Sequence, residues 1–388
     1  MAEGATAGAT PLLPGLPDEI VVWEILLRLS PQCVLRCSAV CRSWRRATST
    51  QDFLLAHHGR QPSLPVVCGF SGRYQSILAF DHHAADPHLQ PVARLDNYEG
   101  LYPETSCDGL LILSVASDDG DCVSVCNPAT RQHASLWGPP DFMQFAFLGM
   151  YPHRPTGEYR VLMHRSSNDE DDEEEPIAGD LLPNGRVGFY IFTLGSDQPR
   201  YIGGAAAHLI SGTPALFRES LHWSPSHHQG QSILLWVFDT TTESFREMRA
   251  PRIPTKSYIF EMDGTLGIYS HDDAMQTVDI WALQNYEGEV WEKKYRVELP
   301  IAEINGQLGG EEDELDVSVV SADGDVLLLL GHGRWLFYVD THGNLVDSFL
   351  HDGQQVYACQ FRLKQTLVRH NFFTALEGYA VNASPPFI

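Results

Sequence analysis

The chain has 388 residues, 43% of them apolar, and 26 basic side chains against 50 acidic ones give a net charge of −24. That length admits a small domain beside a large one, and the apolar share is ample for a buried core. A balance this acidic repels a phosphate backbone and argues against nucleic acid as a partner. No apolar run reaches the roughly 18 residues that a membrane helix needs, so no membrane partner is expected.

Residues 1–14, MAEGATAGATPLLP, carry neither a basic start nor a long apolar run and read as a disordered leader. With no secretory or mitochondrial signal, the expected location is cytoplasm and/or nucleus. LPDEIVVWEILLRL follows at 16–29. Asp18 and Glu19, just after Pro17, favour a helix start at the positive end of the dipole. From Ile20 to Leu29 only Glu24 and Arg28 are polar; they stand four apart and share one strip. A helix apolar on nearly every other side needs a cover on more than one face. Ser30-Pro31 stops it. QCVLRCSAV and CRSWRRATSTQDFLLAHH then complete a unit of three short helices ending near residue 58. Cys33, Cys37 and Cys41 stack on one helical face at a spacing of four. Packing is preferred over a thiolate metal site, because no fourth ligand lies at a familiar spacing. The basic cluster Arg42, Arg45 and Arg46 reads as a solvated helix face. The pairs His57-His58, His82-His83 and His227-His228 read as loop or helix-end residues.

Beyond residue 62 the text changes to short runs rich in Val, Ile, Phe, Tyr and Trp, bounded by turn residues, which predict strands. A weak repeat runs through them: a turn and an apolar strand, then a second strand closed by Asp or Asn with Thr behind it. Gly109 precedes Asn127, Leu221 precedes Asp239, Gly324 precedes Asp340, and Gly264 precedes Trp281 at similar separations. An Asx side chain at such a corner bonds backbone two residues on and tightens the turn. Repeated units that cannot bury both faces alone must stack, which predicts a β-propeller of about six blades, and up to eight. The acidic runs Asp169–Glu175 and Glu311–Asp316 read as solvated loops. The fold class is α+β multidomain: leader 1–14, helical domain 15–60, all-β propeller-like domain 61–370 and tail 371–388.

Catalytic patterns are missing from the sequence: it holds no phosphate-binding glycine loop, no nucleophile elbow and no zinc-binding helix motif. The expectation is a non-catalytic protein with no cofactor and no metal.

The N-terminal text resembles an F-box. The positions that match are Leu16, Pro17, Asp18, Ile20, Glu24, Ile25, Leu26, Arg28, Leu29, Leu35, Arg36, Val40, Cys41, Arg42, Trp44, Arg45 and Phe53. Ser30 departs from the usual proline. CDGLLIL, VCNPATRQ, LHWSP, VFDTTTESFREM, EMDGTLGIYS, VDIWAL and FRLKQTLVRHNFF are similar to the F-box-associated region of plant F-box proteins, particularly those of grasses. The resemblance implies a substrate receptor of a Skp–cullin–F-box ubiquitin ligase that docks on a Skp-type adaptor, and through it on cullin, while the β domain binds a target, expected to be a protein. It places the adaptor contact at Leu16, Pro17, Ile20, Ile25, Leu26, Leu29, Leu35, Val40, Cys41 and Trp44, each of which also has internal packing as a reading. The alternatives are a non-ligase F-box scaffold or adaptor competitor and, behind these, a propeller enzyme or glycan-binding module. The residues that would bind a target are not legible.

Overall fold

The computed structural model describes residues 15–376 apart from 72–73, 83–87, 97–100, 116–121, 138–144, 166–186, 204–209, 211, 225–233, 254–256, 263, 273–275, 309–314, 323 and 354. Asp169–Glu175, His83, His227-His228 and most of the run 311–316 therefore lie outside the described residues.

Pro17 starts the first helix, its carbonyl accepting from the backbone N–H of Ile20 and Val21 at 3.1 and 3.2 Å. The sequence predicts one regular helix here. Instead α1 (Asp18–Ile20) runs into a π turn at Val21–Ile25 and a 3₁₀ turn at Leu26–Arg28. Helix α2 (Pro31–Val40) begins at Ser30, whose hydroxyl accepts from Cys33 N at 3.4 Å. The serine in place of the usual proline thus caps the helix, and Pro31 takes the first-turn position where its missing N–H costs nothing. The last predicted helix is two, α3 (Arg42–Thr48) and α4 (Gln51–Arg60), because Thr50 caps a new start with its hydroxyl on Phe53 N at 3.4 Å. Cys41 is extended backbone at the head of α3, its thiol accepting from Trp44 N at 3.4 Å. It leaves the helical stack, which holds only Cys33 and Cys37.

Val21, Leu26, Leu27, Val34, Phe53 and Leu54 are the buried large apolar side chains of the N-terminal helices, and Leu367 is buried in the returning segment Lys364–His370. His57 joins them, fully buried, with Nε2 2.9 Å from the Leu29 carbonyl; it sits in the last turn of α4 yet is part of the core. The described residues up to Pro62, together with Lys364–His370, form this unit, and the rest of the described chain forms a second one. The returning segment is tied by His58 Nδ1 to Thr366 Oγ1 at 2.9 Å. The sequence reading ran the β domain on to residue 370.

The second unit is six four-stranded sheets. The first blade holds β1 (Ser63–Ser71), β2 (Tyr74–Asp81) and β3 (His88–Asp96); the second holds β4 (Leu101–Cys107), β5 (Leu110–Val115), β6 (Cys122–Asn127) and β7 (Gln132–Trp137). The third holds β8 (Phe145–His153), β9 (Glu158–Arg165), β10 (Gly188–Thr193) and β11 (Arg200–Gly203), and the fourth β12 (Ala215–Phe217), β13 (Ser220–Trp223), β14 (Leu234–Asp239) and β15 (Ser244–Arg249). The fifth holds β16 (Ser257–Met262), β17 (Thr265–Asp272), β18 (Thr277–Asn285) and β19 (Val290–Glu298). After helix α5 (Ile301–Leu308), the sixth holds β20 (Asp316–Ala322), β21 (Asp325–His332), β22 (Trp335–Val339) and β23 (Leu345–Leu350). The last strand, β24 (Gln355–Lys364), returns to pair with β1 and supplies the fourth strand of the first blade. Helix α6 (Asn371–Leu376) follows, burying Phe373 in the apolar cluster of the second and third blades.

The repeat seen in the sequence is the middle of each blade. Asn127 Oδ1 accepts from Ala129 N at 3.1 Å, Asp239 Oδ1 from Thr241 N at 2.9 Å, and Asp340 Oδ1 from His342 N at 2.9 Å, each closing the turn before the outermost strand. In the fifth blade that corner belongs to Asn285, which accepts from Gly288 N at 2.8 Å, and not to Trp281, because two bulges lengthen β18.

Six apolar clusters fill the ring, each shared by two consecutive blades. Strand β21 shows how one strand serves two clusters: Leu327 and Leu329 face the first blade, while Leu328 and Leu330 face the fifth. Side chains two apart share a face, so a continuous apolar run marks a strand buried on both sides. Where blades six and one meet, a Cβ on Gly331 would stand 2.7 Å from the Val356 carbonyl oxygen. Backbone cannot yield as a side-chain tip does, so Gly331→Ala is expected to destabilise the ring by roughly 1–3 kcal/mol, read as a lower denaturation midpoint in urea; an unchanged midpoint would contradict the close packing of β24.

Candidate functional site

Eleven large apolar side chains are exposed among the described residues, and seven of them belong to the helical unit: Leu16, Ile20, Trp23, Ile25, Leu35, Val40 and Leu55. The same unit buries seven, Leu367 of the returning segment included. Each large aliphatic side chain buried contributes about 1.5–3 kcal/mol, and this small unit leaves as many large apolar side chains open as it buries. Val40 is the extreme case at 71% exposed.

The ten residues assigned to adaptor contact by resemblance separate by burial. Leu16, Pro17, Ile20, Ile25, Leu35, Val40 and Cys41 are exposed. Leu29 and Trp44 are half-buried, and Leu26 is inside the unit at 1% exposed. Leu26 therefore serves internal packing, while the exposed seven remain open to solvent. The polar strip lies where the sequence put it, with Arg28 Nη2 donating to Glu24 Oε2 at 2.6 Å. Both side chains of that pair are more than half exposed, so it orders the surface and adds little stability. Trp23 and Leu55 are exposed residues that motif matching passes over. The signal for Trp23 was present in the excess of apolar residues around the first helix.

The face is suited to burial against another apolar surface. The Cys37 thiol is pushed up by burial and by neighbouring Cys33, which lowers its reactivity. Among the described residues no three His, Cys, Asp or Glu side chains are grouped to hold a metal ion.

On the propeller the polar clusters are structural. Glu243 receives Arg160 Nη1 at 2.5 Å, the Tyr151 hydroxyl at 3.0 Å, and Arg200, tying the third blade to the fourth. Burial works against ionisation of Glu243, but the arginine bonds prevail and hold its carboxyl below the usual range. His222 is fully buried and pushed down to about 4 by desolvation. Its neutral Nε2 faces the Tyr286 hydroxyl at 2.9 Å, which Arg246 approaches at 2.6 Å from the other side. This relay joins the fourth blade to the fifth.

Two family models match the chain: one for the F-box associated beta propeller domain over residues 82–372, and one described as F-box-like over residues 13–58. An F-box protein of Arabidopsis thaliana is 22% identical over 377 residues, covering 87% of this chain and 78% of its own length. A putative F-box protein of the same plant is 32% identical over 143 residues, covering 32% of this chain and 44% of its own. Among solved structures, TolB from Acinetobacter baumannii aligns with a TM-score of 0.45 at 11% identity, over 81% of this chain and 71% of that one.

His57 makes the helical unit sensitive to acid. Burial pushes its imidazole below the ordinary value, against the raising effect of its bond to the Leu29 carbonyl. The unfolded state therefore takes up the proton first as pH falls below about 6.5, and stability present above that value is lost on acidification. Hydrogen exchange of α4 amides in the full chain, corrected for intrinsic rates, is expected to quicken between neutral pH and about 5. In His57→Gln the pH dependence should flatten; an unchanged slope would contradict the assignment.

Proposed function

This chain belongs to the plant F-box proteins that carry an F-box-associated β-propeller, and from that premise we propose that it is the substrate-recognition subunit of a Skp–cullin–F-box ubiquitin ligase. The observation that carries the reading is the uncovered apolar face on the helical unit, which holds seven of the eleven exposed large apolar side chains. Its occupant is a Skp-type adaptor, which in turn bridges to cullin. Several anchors worth about 1.5–3 kcal/mol each are enough to sustain a complex after the cost of association is met. The propeller binds the target, a protein. The receptor forms no bond itself: it raises the effective concentration of target lysines beside a ubiquitin-charged enzyme. Assembly in cytoplasm or nucleus is part of the same proposal.

Ile20→Asp with Val40→Asp places charges on two exposed positions of the face while leaving the buried side chains of the unit untouched. This double variant is expected to lose co-purification with a Skp-type adaptor and with cullin, and to keep the wild-type thermal transition of the propeller. Full adaptor binding by the variant would refute the assigned face. Wild-type chain that binds adaptor yet never recruits cullin would refute the ligase reading and favour an adaptor-bound scaffold.

A further inference from the structure

Trp23 is 38% exposed, whereas the other aromatic rings whose burial is described are buried or half-buried. It stands at the centre of the π turn, where Leu26 N–H reaches back to the carbonyl of Val21, five residues earlier. Such a turn holds one residue more than an α turn, and π turns concentrate at functional positions. The distortion is local, with Ile25 at φ −106° and ψ −67°. Ile20 precedes the turn and Ile25 closes it, 42% and 41% exposed, and Leu16, 40% exposed, stands just before the helix cap Pro17. The indole thus adds to the exposed apolar side chains of this stretch. Its wet neighbours are already paired with each other, Glu24 with Arg28, and do not cover it.

The ring is also held in place from below. Trp23 leans on Phe53 with ring centroids 6.3 Å apart, and Phe53 stacks on His57 at 5.8 Å, so a column of three rings runs from the surface into the core. A side chain ordered before binding loses less entropy on association. Tryptophan is among the residue types most enriched where interfaces concentrate their binding energy.

We propose that Trp23, carried outward by the π turn and braced on Phe53, is an additional anchor of the adaptor interface. The inference rests on the adaptor reading above, and it adds a contact that the motif positions do not include. The surface that accepts it is an apolar slot on the Skp-type adaptor. The competing role is internal: a lid on Phe53 that touches no partner.

Titration of the full chain with purified Skp-type adaptor distinguishes the two. Trp23→Ala is expected to weaken binding by about ten- to a hundredfold, Trp23→Phe by less, with the propeller transition unchanged. Affinity of Trp23→Ala within twofold of wild type overturns the proposal. Because removal of the indole also bares Phe53, a second measurement leaves the column largely intact: a benzophenone amino acid at position 23 is expected to cross-link to the adaptor, while the same probe at exposed Val290 is not. Absence of the cross-link at position 23 from a complex that still forms overturns the proposal as well. A wild-type chain with no affinity for the adaptor would instead refute the proposed function, an outcome separate from either of these.

Discussion

Closure of the ring by β24 is the constraint on which the rest of the β unit depends. Five blades are contiguous in sequence, but the first is completed only when residues 355–364 return to pair with β1. The Arg362 guanidinium fastens the junction, donating to the Ser63 carbonyl at 2.7 and 3.0 Å. Two of the six apolar clusters need that strand: Val356 and Ala358 pack with the sixth blade, Cys359, Phe361 and Leu363 with the second. Without it, both neighbours of the first blade lose part of their cover. The β unit has no single centre of burial. Its stability is the sum of six interfaces between adjacent sheets, as in other stacked-repeat architectures.

That organisation explains what was legible in the sequence. Strands buried on both faces, such as DVLLLLGH in β21, read as continuous apolar runs and were found. Outer strand β15 lies largely exposed and no residue of β11 is fully buried; such strands carry too few apolar residues to signal themselves. Helix α5 was missed because only Ile304 is fully buried in it, so its periodicity is one residue deep. The Asx corners were legible because the bond is local to four residues. The corner at Asn285 was not legible because bulges in β18 change the count, and bulges leave no mark on composition.

In the helical unit the excess of apolar residues was visible, but its division into packed and open faces was not. Leu26 and Ile25 are adjacent and similar in chemistry, yet one is buried and the other 41% exposed. The deciding feature is the backbone, which passes from α through π to 3₁₀ within eleven residues. A hydrophobic pattern read at a fixed 3.6 residues per turn assigns such positions to the wrong side of a helix. The attachment of residues 364–370 was equally hidden, since a tie between His58 and Thr366 spans 308 residues.

The two units divide their apolar surface in opposite ways, and that contrast carries the functional argument. The propeller meets its needs internally: of its large apolar residues only Val187, Val290, Val346 and Leu350 are exposed among those described. They are scattered singly through the sequence, as exposed apolar residues on folded proteins commonly are. The helical unit is too small to do the same. Units near 40 residues bury too little surface to be stable without help, and here the shortfall is concentrated on one stretch of helix and its neighbours. A partner surface that covers Leu16, Ile20, Ile25, Leu35 and Val40 therefore supplies binding energy and part of the folding energy at once. Docking of such a surface and folding of the unit are then linked: whatever covers the face favours the conformation that presents it, and the six interfaces of the propeller keep their own stability.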